Sequence, residues 1–341
     1  MSHVPLIEVL LAGRDLSAEQ ARELMAAMFD DDVPPSVKGA ALALLRRKGA
    51  SGTELAGFAR ILRENAITVE ADSEKLVDTC GTGGGIPSFN ISTAAALIAC
   101  GAGARVAKHG NRGVTSACGS ADVLEELGVK ILDDPARLKS ILNKVGIAFL
   151  FAPGHHPTMK KVGPVRRELG FKTVFNQLGP LANPFGAQRQ VVGVYDSALV
   201  LPMAEALQQL GSVRVLTVHG SDGLDEISPC GPTLCAELAT GSVRQFELTP
   251  EDFGIERLPP SVLAGGQCRA ENAAILREAI TDPDSPRASA CIPNAAAALV
   301  IGGIVGTWRE GATAARRAIA SGAALAKLEA LAAASQELNP C

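Results

Sequence analysis

Leu76-Val77-Asp78-Thr79-Cys80-Gly81-Thr82-Gly83-Gly84-Gly85-Ile86-Pro87-Ser88-Phe89-Asn90-Ile91-Ser92-Thr93 runs from a short apolar segment through a glycine cluster into a helical pattern, Ser92–Cys100. A second apolar segment, Arg105-Val106-Ala107, follows it. This one opens into Lys108-His109-Gly110-Asn111-Arg112 and then Gly119-Ser120-Ala121-Asp122, where another helix begins. Strand, small-residue loop, helix and strand is the order expected of a parallel sheet with helical crossovers. Both loops then lie beyond the carboxyl ends of strands, where such sheets bind ligands.

The alternation continues in both directions. Val129–Leu132, Ile147–Leu150, Val191–Val194 and Val213–Val218 are further strand candidates, with helical patterns over Asp134–Lys144 and Ala198–Leu210. Upstream the pattern is helical only. Ser17-Ala18-Glu19-Gln20 has capping-box form, Pro34-Pro35-Ser36 opens a second helix, and a third begins near Thr53. Pro153 to Pro184, rich in Pro, Gly, His and Arg, reads as a segment crossing between modules, with a hinge near Pro153–Gly163. From Ile292 onward the chain is helical again, with Ala295–Val305 apolar and buried. The reading is an α/β protein: a small helical domain plus a large domain with a mostly parallel sheet flanked by helices. Residues 1–72, with 157–190 of the crossing segment, form the helical domain; 73–156 and 191–341 form the other.

With 341 residues, 47% of them apolar, the chain can bury a substantial core, and 4% aromatic content makes that core one of small residues. A net charge of −4 argues against a nucleic-acid surface. Cations gather instead near the loops, at Lys108, Arg112, Lys160, Lys161, Arg166 and Arg167. The eight cysteines show neither a CxxC pair nor metal-ligand spacing, and Cys80, Cys100 and Cys118 read as reduced, buried thiols. Met1–Pro5 has no basic region followed by an apolar run, and Ala295–Val305 is too short to span a bilayer. The expectation is a soluble cytoplasmic protein with no nucleic-acid or membrane partner.

In the first loop, Gly81 to Gly85 leave backbone N–H groups free to approach one anion, and Asn90, Ser92 and Thr93 open a helix whose N-terminus favours negative charge. A tight turn before a capped helix explains this loop alone. Lys108, Asn111 and Arg112 add cations and an amide at the next strand end, and the pair favours a phosphate site. Neither loop is a dinucleotide fingerprint or a Walker loop: Ile86 takes the last required glycine, and no GK[ST] is present. His219 to Glu226 follows another strand, and neighbouring carboxylates there suit Mg²⁺ bridged to substrate phosphates, although a solvated acidic turn also fits. His155 and His156 lack a third ligand at metal spacing and read as pocket or hinge residues. Arg166 suits a substrate carboxylate and a surface ion pair equally.

Six stretches in order, Asp78–Gly84, Asn90–Thr93, Lys108–Arg112, Gly119–Asp122, Val174–Pro184 and Asp225–Pro229, resemble the anthranilate phosphoribosyltransferases of tryptophan biosynthesis over nearly the whole chain. The resemblance implies the fold shared with pyrimidine nucleoside phosphorylases, and homodimers associating through the helical domain. It implies transfer of the phosphoribosyl group to the anthranilate amine, without a covalent nucleophile. Phosphoribosyl pyrophosphate would be held by Gly81, Thr82, Gly83, Gly84, Ser88, Asn90, Ser92, Thr93, Lys108, Ser116 and Ser120. Mg²⁺ would be shared by Ser92, Asp225 and Glu226. Gly81, His109, Asn111, His156, Arg166 and Gly179 would line the anthranilate site, with Arg166 on its carboxylate and His109 the nearest candidate for the amine proton.

The first loop departs from the family, which usually carries Asp after Gly-Thr-Gly-Gly and one more residue before the Asn. Gly85 stands at the Asp position, or the Asp is deleted. The expected consequence is altered Mg²⁺ dependence rather than lost activity. Two other functions compete: a nucleoside phosphorylase on the same fold, and a catalytically silent relative that binds another partner. Asn111-Arg112 and Phe175–Pro184 favour the transferase over the first, and Lys108, Asp225 and Glu226 over the second.

Overall fold

The computed structural model describes residues 4–113 and 117–337. It opens with α1 (Val4–Leu11), α2 (Ala18–Met28), α3 (Pro35–Lys48) and α4 (Gly52–Glu64). At Ser17 the hydroxyl accepts the Gln20 N–H while the Gln20 side chain accepts the Ser17 N–H, the reciprocal cap expected there. Ser51 and Glu54 repeat the device at α4. Glu54 is fully buried and also accepts from the Leu16 N–H at 3.0 Å and from Lys48 Nζ at 2.7 Å, which ties α4 to α3.

The chain continues as β1 (Leu76–Gly81), α5 (Ile91–Gly101), β2 (Arg105–Gly110), α6 (Ser120–Glu126), α7 (Pro135–Val145) and β3 (Ile147–Phe151). The crossing segment holds α8 (Ala152–His155), α9 (Gly163–Leu169) and α10 (Phe175–Leu178). Then come β4 (Arg189–Gly193), α11 (Val200–Gln209), β5 (Arg214–Gly220), β6 (Thr233–Ala239) and β7 (Ser242–Leu248). Last are α12 (Arg269–Thr281), α13 (Pro286–Ile301), α14 (Trp308–Ala320) and α15 (Ala323–Gln336).

The strands form one sheet in the order β3-β2-β1-β4-β5-β6-β7, parallel through β5 and antiparallel beyond it. One face packs beneath α5 and α13, whose buried alanines allow close layering. The other packs against α11. There Leu55 and Phe58 of α4, Phe175 and Leu178 of the crossing segment, and Val192 and Val215 of the sheet share one apolar cluster. Helices on both faces of a mostly parallel sheet agree with the sequence reading.

Two parts of that reading need correction. Val129–Leu132 is not a strand. Its backbone is satisfied locally, the Val129 N–H by the Leu124 carbonyl and the Lys130 N–H by Ser335 Oγ, and its apolar side chains plug the core as anchors. The β6–β7 hairpin was not expected. Its turn, Thr240-Gly241 with φ of +49° and +78°, is a two-residue connection of the kind right-twisted strands prefer. Helix α1 was also missed. Among the described residues no single helix is long and apolar enough to cross a membrane.

Contact between α2 and α4 turns on Gly57, where a Cβ would fall 2.6 Å from Ala21 Cβ and 3.0 Å from the Ala18 carbonyl oxygen. Replacing a helix-interior glycine by alanine normally gains about 0.5–1 kcal/mol. Overpacking here costs about 1–3 kcal/mol and reverses the sign. Gly57→Ala is expected to lower the melting temperature; a rise would show that the two helices separate freely.

Candidate active site

Among the described residues, four of the five parallel strands end in glycine, at Gly81, Gly110, Gly193 and Gly220, so loops can close over the strand ends. At Gly193 the approach is tightest. Its carbonyl accepts the Thr82 N–H at 2.8 Å, and a Cβ would land on the Asp225 carbonyl. The loop carrying Asp225 and Glu226 therefore folds back onto the first glycine loop.

That loop is fixed residue by residue. Thr82 Oγ1 accepts the Tyr195 N–H at 3.0 Å, the Gly83 N–H points at the Asp225 carboxylate, and the Ile86 N–H reaches the Gly223 carbonyl at 3.1 Å. A Cβ at Gly85 would fall 2.7 Å from Asp225 Oδ1 and 2.8 Å from the Gly223 carbonyl oxygen, so bare backbone fills the place of a side chain. Lys172 of the crossing segment donates to the Gly84 carbonyl at 2.5 Å. Ser88 is half-buried beyond them, where Gly265 packs on its carbonyl. Asn90 precedes α5 and donates to the Cys118 carbonyl at 3.1 Å. Asn90 Oδ1 and the hydroxyl of buried Thr93 find no partner among the described residues.

Lys108, buried on β2, donates to the Thr79 carbonyl and, at 3.3 Å, to Ser92 Oγ. Burial lowers its pKa while the Asp78 carboxylate opposes that shift. Ser92 in turn hydrogen-bonds Glu226 through side chain and backbone. Burial, with Asp225 alongside, pushes Glu226 up to about 8, and burial raises Asp225 as well. Two desolvated carboxylates beside a hydroxyl are hard oxygen donors too few for a closed cage, which fits Mg²⁺ that keeps waters and substrate phosphate in its shell.

Ser120 Oγ accepts the Asn111 N–H at 3.2 Å, bringing those two residues together at the mouth of β2. Ser116 lies outside the described residues. Arg112, read from the sequence as a phosphate-holding cation, shares its charge with two carboxylates. It is engaged by Glu125 and Asp122, with Asp122 Oδ1 at 3.1 Å, and lies 5.5 Å from the Phe151 ring centroid.

His109 Nδ1 lies 3.1 Å from the Gly179 carbonyl oxygen, and the His109 and His156 rings meet edge to face with centroids 5.4 Å apart. Burial lowers their pKa values to about 3 and about 4, so both are neutral near pH 7. So depressed a pKa makes His109 a poor proton acceptor and a better wall. His155 turns away to the Ile67 carbonyl at 2.8 Å. Arg166 lies 5.6 Å from the Phe175 ring centroid, and no carboxylate among the described residues comes within ion-pair distance of it. A surface ion pair does not account for it. Cys80 is buried and its thiol pushed well up, as an inert residue should be.

The sequence reading gave no role to Asp78 and Asn183, whose side chains meet at 2.8 Å beneath the loops, nor to Lys172. An aspartate inside an otherwise apolar strand was the available signal for the first.

The family model described as glycosyl transferase family, helical bundle domain, matches residues 4–66, and that described as its a/b domain matches 73–325. An anthranilate phosphoribosyltransferase of Desulfatibacillum aliphaticivorans is 46% identical over 97% of this chain and 98% of its own length. One from Roseiflexus is 48% identical over 94% and 95%. The anthranilate phosphoribosyltransferase structure from Thermus thermophilus superposes with a TM-score of 0.90 at 39% identity, covering 97% of this chain and 99% of that one. The Saccharomyces cerevisiae enzyme in complex with PRPP and Mg superposes at 0.85 and 28%, covering 99% of both.

The histidine pair has a measurable signature. A histidine whose folded pKa lies below its unfolded value of about 6.5 stabilises the fold above that pH and loses the contribution as pH falls toward the folded pKa. His156→Gln should be less stable than wild type at pH 7.5. That deficit should shrink by about 2 kcal/mol between pH 6.5 and 5, read from denaturant unfolding of both proteins. A deficit independent of pH would mean that His156 is not held neutral.

Proposed function

The chain belongs to the anthranilate phosphoribosyltransferase family, and we propose residue roles for its reaction. It transfers the 5-phosphoribosyl group of phosphoribosyl pyrophosphate to the anthranilate amine, releasing diphosphate, as a step of tryptophan biosynthesis with Mg²⁺. What supports the assignment of roles is the convergence of both small-residue loops, Lys108 and the Asp225–Glu226 pair on one end of the parallel strands.

Cleaving the ribose C1–oxygen bond leaves an oxocarbenium-like centre and a strongly anionic leaving group, so the site needs positive charge and positioning rather than a nucleophile. The N–H groups of Gly81 to Gly84, the start of α5 with Ser92 and Thr93, Ser88, Asn90, Ser116, Ser120 and Lys108 hold the phosphorylated substrate. Asp225, Glu226 and Ser92 hold Mg²⁺, which when bound neutralises diphosphate charge. Arg166 takes the anthranilate carboxylate through its planar fork, and His109, His156, Asn111, Gly81 and Gly179 shape the acceptor side. The protein works in the cytoplasm as a homodimer formed through the helical domain. Val4 and Leu11, 62% and 59% exposed on α1, give that domain an uncovered apolar surface.

Mixing the protein with anthranilate and phosphoribosyl pyrophosphate should extinguish anthranilate fluorescence in the presence of Mg²⁺ and not without it. Persistence at every Mg²⁺ concentration would leave the silent-relative reading standing.

Mg²⁺ handling is expected to depart from that of relatives with Asp in the first loop, because Gly85 contributes no carboxylate. The packing at Gly85 adds that Asp cannot be restored there singly without displacing Asp225. In a Mg²⁺ titration Gly85→Asp should raise the half-saturating concentration several-fold; a lower or unchanged value contradicts the packing account.

A further inference from the structure

Lys172 lies between α9 and α10, and its Nζ donates to the Gly84 carbonyl at 2.5 Å while resting 4.1 Å from the Tyr195 ring centroid. Among the described residues no carboxylate lies within ion-pair distance of it, although Asp225 feels its charge. Two other cations near the loops are engaged, Arg112 by Asp122 and Glu125, and Lys108 by the Thr79 carbonyl and Ser92.

A carbonyl and a ring face satisfy an ammonium only partly, so most of its charge remains available to an incoming anion. The loop is shaped to admit it. Gly84 has a φ of +85°, and a Cβ there would fall 2.7 Å from Lys172 Cε, so any side chain would push the lysine off the loop.

We propose that Lys172 is a substrate-binding residue: when phosphoribosyl pyrophosphate enters, its ammonium exchanges the Gly84 carbonyl for a phosphate oxygen lying along the first loop. This rests on the phosphoribosyl pyrophosphate reading of the cleft. The substrate then bridges the crossing segment, which carries Lys172, to the sheet, which carries the loop. With no carboxylate at Gly85, Lys172 faces no competing anion in that loop.

Calorimetric titration in EDTA, with phosphoribosyl pyrophosphate, inorganic pyrophosphate and ribose 5-phosphate as separate probes, tests this on wild type, Lys172→Met and Lys172→Arg. Lys172→Met should bind phosphoribosyl pyrophosphate about ten-fold more weakly, and Lys172→Arg within about three-fold of wild type. A loss confined to pyrophosphate places the contact at the diphosphate end, and one confined to ribose 5-phosphate at the other; both uphold the proposal. In turnover with Mg²⁺, the KM for phosphoribosyl pyrophosphate should rise while that for anthranilate stays constant. Wild-type affinity in Lys172→Met overturns the proposal. So does an equal loss in Lys172→Arg, or a matching rise in the anthranilate KM, since either marks a lost loop shape rather than a lost charge. Failure of the wild type to bind phosphoribosyl pyrophosphate, with or without Mg²⁺, is a separate result that overturns the reading of the cleft and this inference with it.

Discussion

Asp78 is a fully buried carboxylate in β1, the middle one of the five parallel strands among the described residues, and the geometry of the cleft depends on it. It accepts the His109 N–H at 3.1 Å from β2 and Asn183 Nδ2 at 2.8 Å from the crossing segment, and it faces the positive charge of Lys108. Asn183 also donates to the Ala107 carbonyl at 2.9 Å. Three separate stretches of chain thus converge on one charged group. Burial raises the Asp78 pKa, and these partners are what offset it. Taking one away from a buried ion typically costs about 3–5 kcal/mol, because an uncompensated charge remains. The register between β1 and β2, and hence the spacing of the two loops, is locked from below.

The upper side of the cleft is arranged differently. Asp225 and Glu226 stand together in a desolvated loop, which raises both, and Ser92 and Lys108 only partly relieve Glu226. Lys172 and Arg166 have no carboxylate partner on the opposite bank among the described residues. Such a site holds its charges apart in the resting state, and a substrate with anionic and metal-binding groups satisfies both banks together. The electrostatic work of organising the cleft is done during folding, before any ligand arrives.

Periodicity and loop chemistry made the architecture legible. Glycine clusters after short apolar runs placed both loops at strand ends, and a capping box at Ser17 announced a helix. What was not legible follows from longer-range effects. Val129–Leu132 carries the composition of a strand but is claimed by the packing of α15, whose Ser335 takes its backbone. The binding of Arg112 by Glu125 depends on how α6 lies beside the second loop, which spacing alone does not give. Lys172 looked like an ordinary lysine in an irregular segment, and only folding brings it across 88 residues to Gly84. The β6–β7 hairpin is the exception, because its Thr-Gly turn between alternating runs was readable locally.

That hairpin decides how the sheet stops. β7 presents exposed Arg244, Gln245 and Glu247 along the outer edge, and at the opposite edge β3 is buried beneath α7 and α15. Charged and polar side chains on one rim, and helices packed against the edge strand at the other, discourage a foreign strand from joining. Growth of the sheet from one copy to the next is thereby disfavoured, and association of copies is directed to side-chain surfaces.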